Sequence, residues 1–188
     1  MAYPKQTKEM TLDLSQIPDN RQDQAKQDVG EFIRDEIFRF VSSGNSPVAG
    51  RGAFQRLNKE YADNEKGGNR TANLELEGDM LDSLEFELTS RGIEIGIFDS
   101  NEQGKADGHN NFSGDSKLPT RRFIPDENES FNGRIMTGVR QILNQYREDF
   151  DPFDFDLRGL SALALARSVI EPDSISIDDI TGDLGGSL

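Results

Sequence analysis

Residues 84–97 have the sequence LEFELTSRGIEIGI, in which apolar residues alternate with charged or small ones on either side of a short polar break. An alternation with a period of two places one set of side chains on a single face of a β-strand. The break at residues 90–92, Ser-Arg-Gly, has the composition of a turn. The pattern predicts a β-hairpin with one apolar face, made of Leu84, Phe86, Leu88, Ile93, Ile95 and Ile97.

Two β-strands alone are marginally stable in water, so the hairpin needs a second layer to pack on. The clearest helical pattern lies upstream of it. After a candidate N-cap at Asp19 or Asn20, apolar residues recur at helical spacing until Gly44 ends the helix. The members of this stripe are Ala25, Val29, Phe32, Ile33, Ile37, Phe40 and Val41. We expect the hairpin to rest on the part of the stripe between Phe32 and Phe40.

A second amphipathic helix is predicted near residue 140. Asp126 and Glu129 have the spacing of a capping box and would begin it. Its apolar stripe is Phe131, Ile135, Val139, Ile142, Leu143 and Tyr146. The fold class is therefore α+β, with two main amphipathic helices packed on a small antiparallel sheet, long loops and an extended acidic C-terminal arm.

Two further segments have weaker patterns. Phe54, Leu57 and Tyr61 recur at helical spacing and predict about three turns of helix that end at two glycines. Residues 99–117 are polar and glycine-rich, which indicates a long, mobile, exposed loop. This loop carries the chain's single histidine, His109, which we expect to be solvated.

The chain is predicted to have three parts: an N-terminal arm or edge strand at residues 1–18, an α+β core at residues 19–147, and an acidic C-terminal extension at residues 148–188. The formal net charge is -14 over 188 residues. Ten acids against two bases give the C-terminal extension a net charge of -8, more than half of the excess.

Composition and motifs disfavour an enzyme. The chain has no Cys, which excludes disulfides, thiolate zinc sites and a Cys nucleophile. One histidine cannot supply a histidine-pair metal site, and phosphate-binding glycine motifs are missing. A calcium-loop pattern that starts at Asp99 has Asn110 where a bidentate Glu is required. We therefore expect no catalytic residues and no cofactor. No apolar run reaches the ~20 residues needed to cross a bilayer, so we expect a soluble protein with no membrane partner.

Basic residues are concentrated in two places. Five bases and three acids lie between Gly50 and Arg70, and a second pair of arginines lies at residues 121–122. No nucleic-acid module accompanies them, which favours protein contacts over DNA contacts. Basic patches beside an acidic extension would also suit head-to-tail assembly into a ring. The candidate interface residues are Arg51, Arg56, Lys59, Arg121, Arg122, Phe123, Asp154, Asp156, Ile175 and Ile177; the last two alternate with polar residues and favour an arm that joins a sheet edge.

Three short motifs, taken in order, resemble those of the virion morphogenesis and tail completion families of tailed bacteriophages. The first is an aromatic and a leucine followed by a Tyr-Ala pair, the second is a hinge that enters the sheet, and the third is a Leu-Pro-x-Arg-x-Phe segment. The matching residues are Phe54, Leu57, Tyr61 and Ala62; Leu74, Gly78, Met80, Ser83 and Leu84; and Leu118, Pro119, Arg121 and Phe123. The resemblance covers residues 28–146. Arg122, Ile124 and the length of the acidic extension depart from the family pattern.

The resemblance implies a noncatalytic structural protein at the phage neck or upper tail, made in the host cytoplasm and located in the virion. Such proteins form rings, commonly of six copies, between the head connector or adaptor and the tail terminator or tube. DNA passes through the lumen of the ring without sequence-specific binding. The alternative function is an acidic DNA mimic that inhibits a DNA-binding protein. Its charges should be spaced along one face like phosphates, whereas here they cluster in the C-terminal part.

Overall fold

The computed structural model describes residues 4–74 and 79–147, and it has the predicted α+β architecture. The segments 148–188 and 75–78, which include the expected acidic arm, lie outside the described residues. In chain order the elements are β1 (Gln6–Thr11), α1 (Asp19–Ser42), α2 (Lys59–Glu65), α3 (Asp79–Asp82), β2 (Leu84–Leu88), β3 (Gly92–Ile97), α4 (Ser100–Asn110) and α5 (Gly133–Gln145).

The three strands form one antiparallel sheet in the order β1-β3-β2. The predicted hairpin is confirmed: Leu84 pairs with Ile97, and Leu88 pairs with Ile93. The N-terminal stretch is an edge strand of the same sheet, because β1 pairs along its whole length with β3. The central strand is the most buried of the three, and its three isoleucines have no exposed surface. Leu88, at the tip of the hairpin, is 43% exposed although the alternation assigns it to the apolar face.

The apolar stripe of α1 packs as predicted. Ala25, Val29, Ile33, Ile37 and Val41 are all fully buried in the core. The helix contacts both β2 and β3. Hydrophobic burial of this stripe against the sheet is the main tertiary support of the helix.

The two long helices lie against each other, and their starts differ from the prediction. The residue before α1 is Pro18, which cannot cap the start of the helix through its side chain. The residue before α5 is Asn132, whose Oδ1 accepts a hydrogen bond from the Arg134 N–H at 3.0 Å. The predicted capping box at Asp126 and Glu129 is wrong, because these residues close a turn several residues before α5 begins.

The helix predicted from Phe54, Leu57 and Tyr61 is much shorter than expected. The Phe54 and Leu57 N–H groups donate to the carbonyls of Gly44 and Arg70, at 2.7 and 3.0 Å, instead of to a preceding helical turn. Only the seven residues of α2 are helical, and the Asn58 side chain caps them by accepting from the Glu60 N–H. The spacing of three apolar residues was compatible with a helix, but long-range backbone pairing holds the first two in extended chain.

The prediction of an exposed loop at residues 99–117 is also wrong for its first half, because residues 100–110 form the helix α4. The Asp99 carboxylate accepts from the Asn101 N–H at 2.8 Å and caps the start. Asn111 adopts the left-handed conformation, φ 57°, and ends the helix. Its inner face is polar as well as apolar, since Asp107 and Asn110 are buried beside Ala106. An apolar periodicity could not reveal a helix that buries carboxylate and amide groups.

Candidate partner-binding groove

A buried polar network fixes the region in which the basic residues lie. Asn110 is fully buried, and its Nδ2 donates to Gln6 Oε1 of β1 at 2.9 Å. Its Oδ1 accepts from two backbone N–H groups, those of Phe123 at 2.9 Å and Ile124 at 3.1 Å. Gln6 in turn donates to Asp107 of α4 at 3.1 Å. One amide side chain therefore joins the sheet edge, α4 and the segment that carries the two arginines.

The same helix end positions both arginines through backbone atoms. The Arg121 N–H donates to the His109 carbonyl at 2.8 Å, and Arg122 Nε donates to the Asn110 carbonyl at 3.0 Å. Arg122 also lies over the Phe112 ring, 5.0 Å from its centroid, a favourable cation–π geometry. The two neighbouring side chains have different surroundings: Arg121 is buried, whereas Arg122 is half-buried and paired.

A groove of about 810 Å³ lies beside Arg121, between α2, α4 and the segment that follows α4. We call it the basic groove, because its described lining contains basic residues and no Asp or Glu. The basic lining residues are Arg56, Lys66, Arg70, Lys105 and Arg121, with His109 beside them. Its apolar lining residues are Leu57, Ala72, Leu74, Met80, Leu118 and Pro119. Lys105 also pairs with Glu102, which lies outside the lining.

Arg121 is the unusual member of this lining. Only 8% of the residue is exposed, and its buried Nε has no hydrogen-bond partner among the described residues. Burial lowers the pKa of its guanidinium from the ordinary value. A buried charge is normally paired with an opposite charge or a set of hydrogen-bond acceptors. The groove therefore holds a cation whose counter-charge is not supplied by the described part of the chain.

His109 is not the solvated loop residue that was expected. It lies in the last turn of α4, lines the basic groove, and has a buried Nδ1 without a hydrogen-bond partner in the described structure. Burial and the adjacent Arg121 charge lower its pKa from 6.5 to about 4. At neutral pH the imidazole is uncharged.

This shift predicts a pH dependence of stability. The unfolded chain takes up a proton at His109 below about pH 6.5, whereas the folded chain does not do so until about pH 4. The free energy of unfolding should therefore fall by about 2–3 kcal/mol from this residue as the pH drops through that window, at about 1.4 kcal/mol per pKa unit. Denaturant unfolding of the wild type and of His109→Asn at several pH values measures the difference. A difference that does not change between pH 7 and pH 4.5 would contradict the prediction.

Two of the predicted interface arginines are paired within the fold. Glu129 accepts from Arg51 at 2.6 Å and from Arg122 at 2.9 Å. Burial raises the pKa of Glu129, but the hydrogen bonds from Arg122, the Asp126 N–H and Arg51 outweigh it and lower the pKa to about 2. This carboxylate is therefore charged at any physiological pH. Arg51 and Arg122 are less available to a partner than the sequence suggested.

The remaining predicted interface residues are divided between surface, core and the segments that are not described. Arg56 is exposed and lines the groove. Lys59 is exposed and pairs with Asp63 one turn along α2 at 2.6 Å. Phe123 has no exposed surface and belongs to the core, so it cannot contact a partner in the folded chain. Asp154, Asp156, Ile175 and Ile177 lie outside the described residues.

The three motifs that carry the phage resemblance meet at the basic groove. Leu57 and Tyr61 come from the first motif, Leu74 and Met80 from the second, and Leu118, Pro119 and Arg121 from the third. The three motifs are far apart along the chain, and their spacing could not show that they line the same groove. Buried motif residues such as Ala62 and Leu84 stabilise the surrounding fold instead.

Comparisons with known proteins add no relative: no protein-family model matches the chain, and neither a curated protein nor a solved structure is significantly similar to it. In the described ranges 4–74 and 79–147, no three His, Asp or Glu residues are grouped as metal ligands would be. None of the described helices has the length and apolar character needed to span a bilayer.

Proposed function

We propose that this chain is a noncatalytic structural protein of a tailed bacteriophage, placed at the neck or upper tail. In this proposal it forms a ring that joins the head connector to the tail and lets DNA pass. The observation that supports it best is the meeting of three separate motifs, each resembling the tail completion families, at one groove. Residues that line a shared open groove are placed to bind a partner, whereas a resemblance confined to the core would speak only for the fold.

The charge distribution suits assembly through this groove. A basic groove on a chain with net charge -14 favours an acidic protein partner and disfavours wrapping around DNA. In a ring, each copy presents one surface to a neighbour and receives a different one from the other side. If the acidic extension lined the lumen, it would also repel the DNA phosphates and keep the DNA from adhering.

The proposed location and partners follow from this role. The chain is made in the host cytoplasm and becomes part of the virion, in a ring of six copies. Its neighbours are the head connector or adaptor on one side and the tail terminator or tube protein on the other. The role requires no cofactor, no membrane and no sequence-specific contact with DNA.

The mass of the purified full-length chain in solution tests the ring. Light scattering should give about 126 kDa, six times the 21.0 kDa of one chain, either alone or after a connector or tail protein is added. A chain that stays monomeric, binds no virion protein and competes with DNA for a basic protein would contradict the proposal and support the DNA-mimic alternative.

A further inference from the structure

We infer that the basic groove binds the acidic, phenylalanine-rich segment 148–156 of a second copy of the chain, and that a carboxylate of this segment pairs with the Arg121 guanidinium. The inference rests on the proposed function, since it names the contact that would link neighbouring copies in the ring. Its first support is the buried cation itself.

The Arg121 guanidinium has already lost most of its contact with water in the folded chain, with 8% of the residue exposed. Among the described residues no carboxylate pairs with it. A guanidinium offers donors in a planar fork that matches a carboxylate, and such a pair is stronger where water is excluded. A carboxylate that enters the groove would meet a cation whose desolvation has already taken place during folding.

The neighbouring imidazole suits an anion as well. His109 Nδ1 is buried without a partner in the described structure, and the residue lies next to Arg121. An anion on Arg121 would favour a proton on this ring and gain a second charged donor. Tyr61 of α2 also lies close enough to interact with the Arg121 charge. The three groups form a polar end within a groove that is otherwise partly apolar.

The apolar part of the lining decides which kind of anion fits. Leu57, Leu74, Met80 and Leu118 give the groove a hydrophobic surface beside its basic residues. A nucleic-acid backbone would leave that surface unused, and the chain's negative charge would repel it. A peptide that carries both carboxylates and aromatic rings would satisfy the charged and the apolar parts together.

The chain contains such a peptide. Residues 148–156 have the sequence EDFDPFDFD, with five acids, three phenylalanines and no base. Acids and aromatic residues are interleaved along it, so both kinds of side chain are present in any short stretch. A groove of about 810 Å³ has room for a few such side chains, and drug-sized ligands occupy cavities of comparable size, ~300–1,000 Å³.

Peptide binding to the full-length chain tests the groove directly. The receptor is a variant in which Glu148→Gln and Asp→Asn changes at 149, 151, 154 and 156 neutralise its own segment and leave the groove free. A fluorescent peptide of residues 148–156 should bind saturably to it, as measured by anisotropy. A peptide with the same neutral replacements should not bind.

Arg121→Gln in this receptor should weaken peptide binding about 10-fold or more, because removal of one partner of a desolvated charge pair costs most of its binding energy. Arg91→Gln, an exposed arginine in the hairpin turn that does not line the groove, is the matched control and should leave binding unchanged. Thermal unfolding shows whether each variant is folded. Arg121→Gln should be at least as stable as the wild type, because it removes a buried charge that has no carboxylate partner among the described residues. Equal binding by the two variants, or displacement of the peptide by a single-stranded oligonucleotide, would overturn the inference.

A mixing experiment tests whether the segment is supplied by a second copy. The segment-neutralised chain has a free groove, and the Arg121→Gln chain has an acidic segment, so neither should form rings alone. Mixed in equal amounts, they should form a two-chain complex and nothing larger. A mixture that stays monomeric would overturn binding between copies.

The two proposals can fail separately. If the wild-type chain forms rings and both the segment-neutralised chain and the Arg121→Gln chain still form them, this inference is overturned and the proposed function stands. The opposite result is that the peptide binds and the two variants associate, but virion assembly proceeds without the chain. This result would support the inference and overturn the proposed function.

Discussion

Replacing Asn110 with alanine is expected to lower the free energy of unfolding by about 3–5 kcal/mol. The change removes one donor and one acceptor that together make three buried hydrogen bonds, to Gln6, Phe123 and Ile124. The two backbone N–H groups and Gln6 Oε1 would lose these partners in the core, while Gln6 Nε2 keeps its bonds to the Pro4 carbonyl and Asp107. Each buried polar group that loses its partner costs about 1–3 kcal/mol.

Chemical denaturation of Asn110→Ala and of the control Asn144→Ala measures this effect. Asn144 lies on the exposed face of α5, so alanine there should change stability by less than about 0.5 kcal/mol. The Asn110 variant should also loosen the segment that carries Arg121 and Arg122, since the Asn110 side chain binds the backbone that follows them. Equal stability of the two variants would show that the polar network does not hold the fold.

Replacing Gly96 with alanine is expected to cost about 3 kcal/mol or more, because a Cβ at this position would overlap the Gln6 carbonyl oxygen of the paired strand. The two nearest obstructing atoms, the Gln6 carbonyl oxygen and Thr7 Cα, belong to the backbone, so rotation of the Thr7 side chain would not relieve the overlap. The strand β1 must shift or separate from β3, and Gln6 would then also lose its contacts with Asn110 and Asp107.

Gly133→Ala is the matched control, because a Cβ there would meet nothing within 4 Å. It lies at the first position of α5, where alanine supports the helix. Thermal unfolding should place the Gly96 variant well below the wild type and the Gly133 variant at or slightly above it. Hydrogen exchange should show the loss concentrated in β1 and β3. A Gly96 variant as stable as the wild type would contradict the close strand pairing.

The sequence predicted the parts of the fold in which burial follows a simple period. The alternation at residues 84–97 identified the hairpin, and the stripe at Val29, Ile33 and Ile37 identified α1. The sequence did not predict α4. In this helix Asp107 and Asn110 are buried and bind Gln6, which lies more than a hundred residues away along the chain. A helix stabilised by long-range polar contacts leaves little local pattern, although Asp99 as an N-cap was a usable signal.

The candidate groove was predictable only in part. The charges of Arg56 and Arg121 were identified, but not their position beside Leu57, Met80 and Leu118. The burial of Arg121 had no clear local signal, since both Phe123 and Ile124 after it are fully buried and the segment shows no alternation. The pairing of Arg51 with Glu129 had no local signal in the sequence, since 78 residues separate the two.

The proposed neck function implies that the chain is encoded by a phage, and its most direct test is a count of particles in lysates made with and without synthesis of the chain. Electron microscopy should show that, without it, filled heads and complete tails accumulate separately. Adding the purified wild-type protein should restore joined, infectious particles. Joined particles at normal yield in the absence of the chain would contradict the proposal that it joins heads to tails.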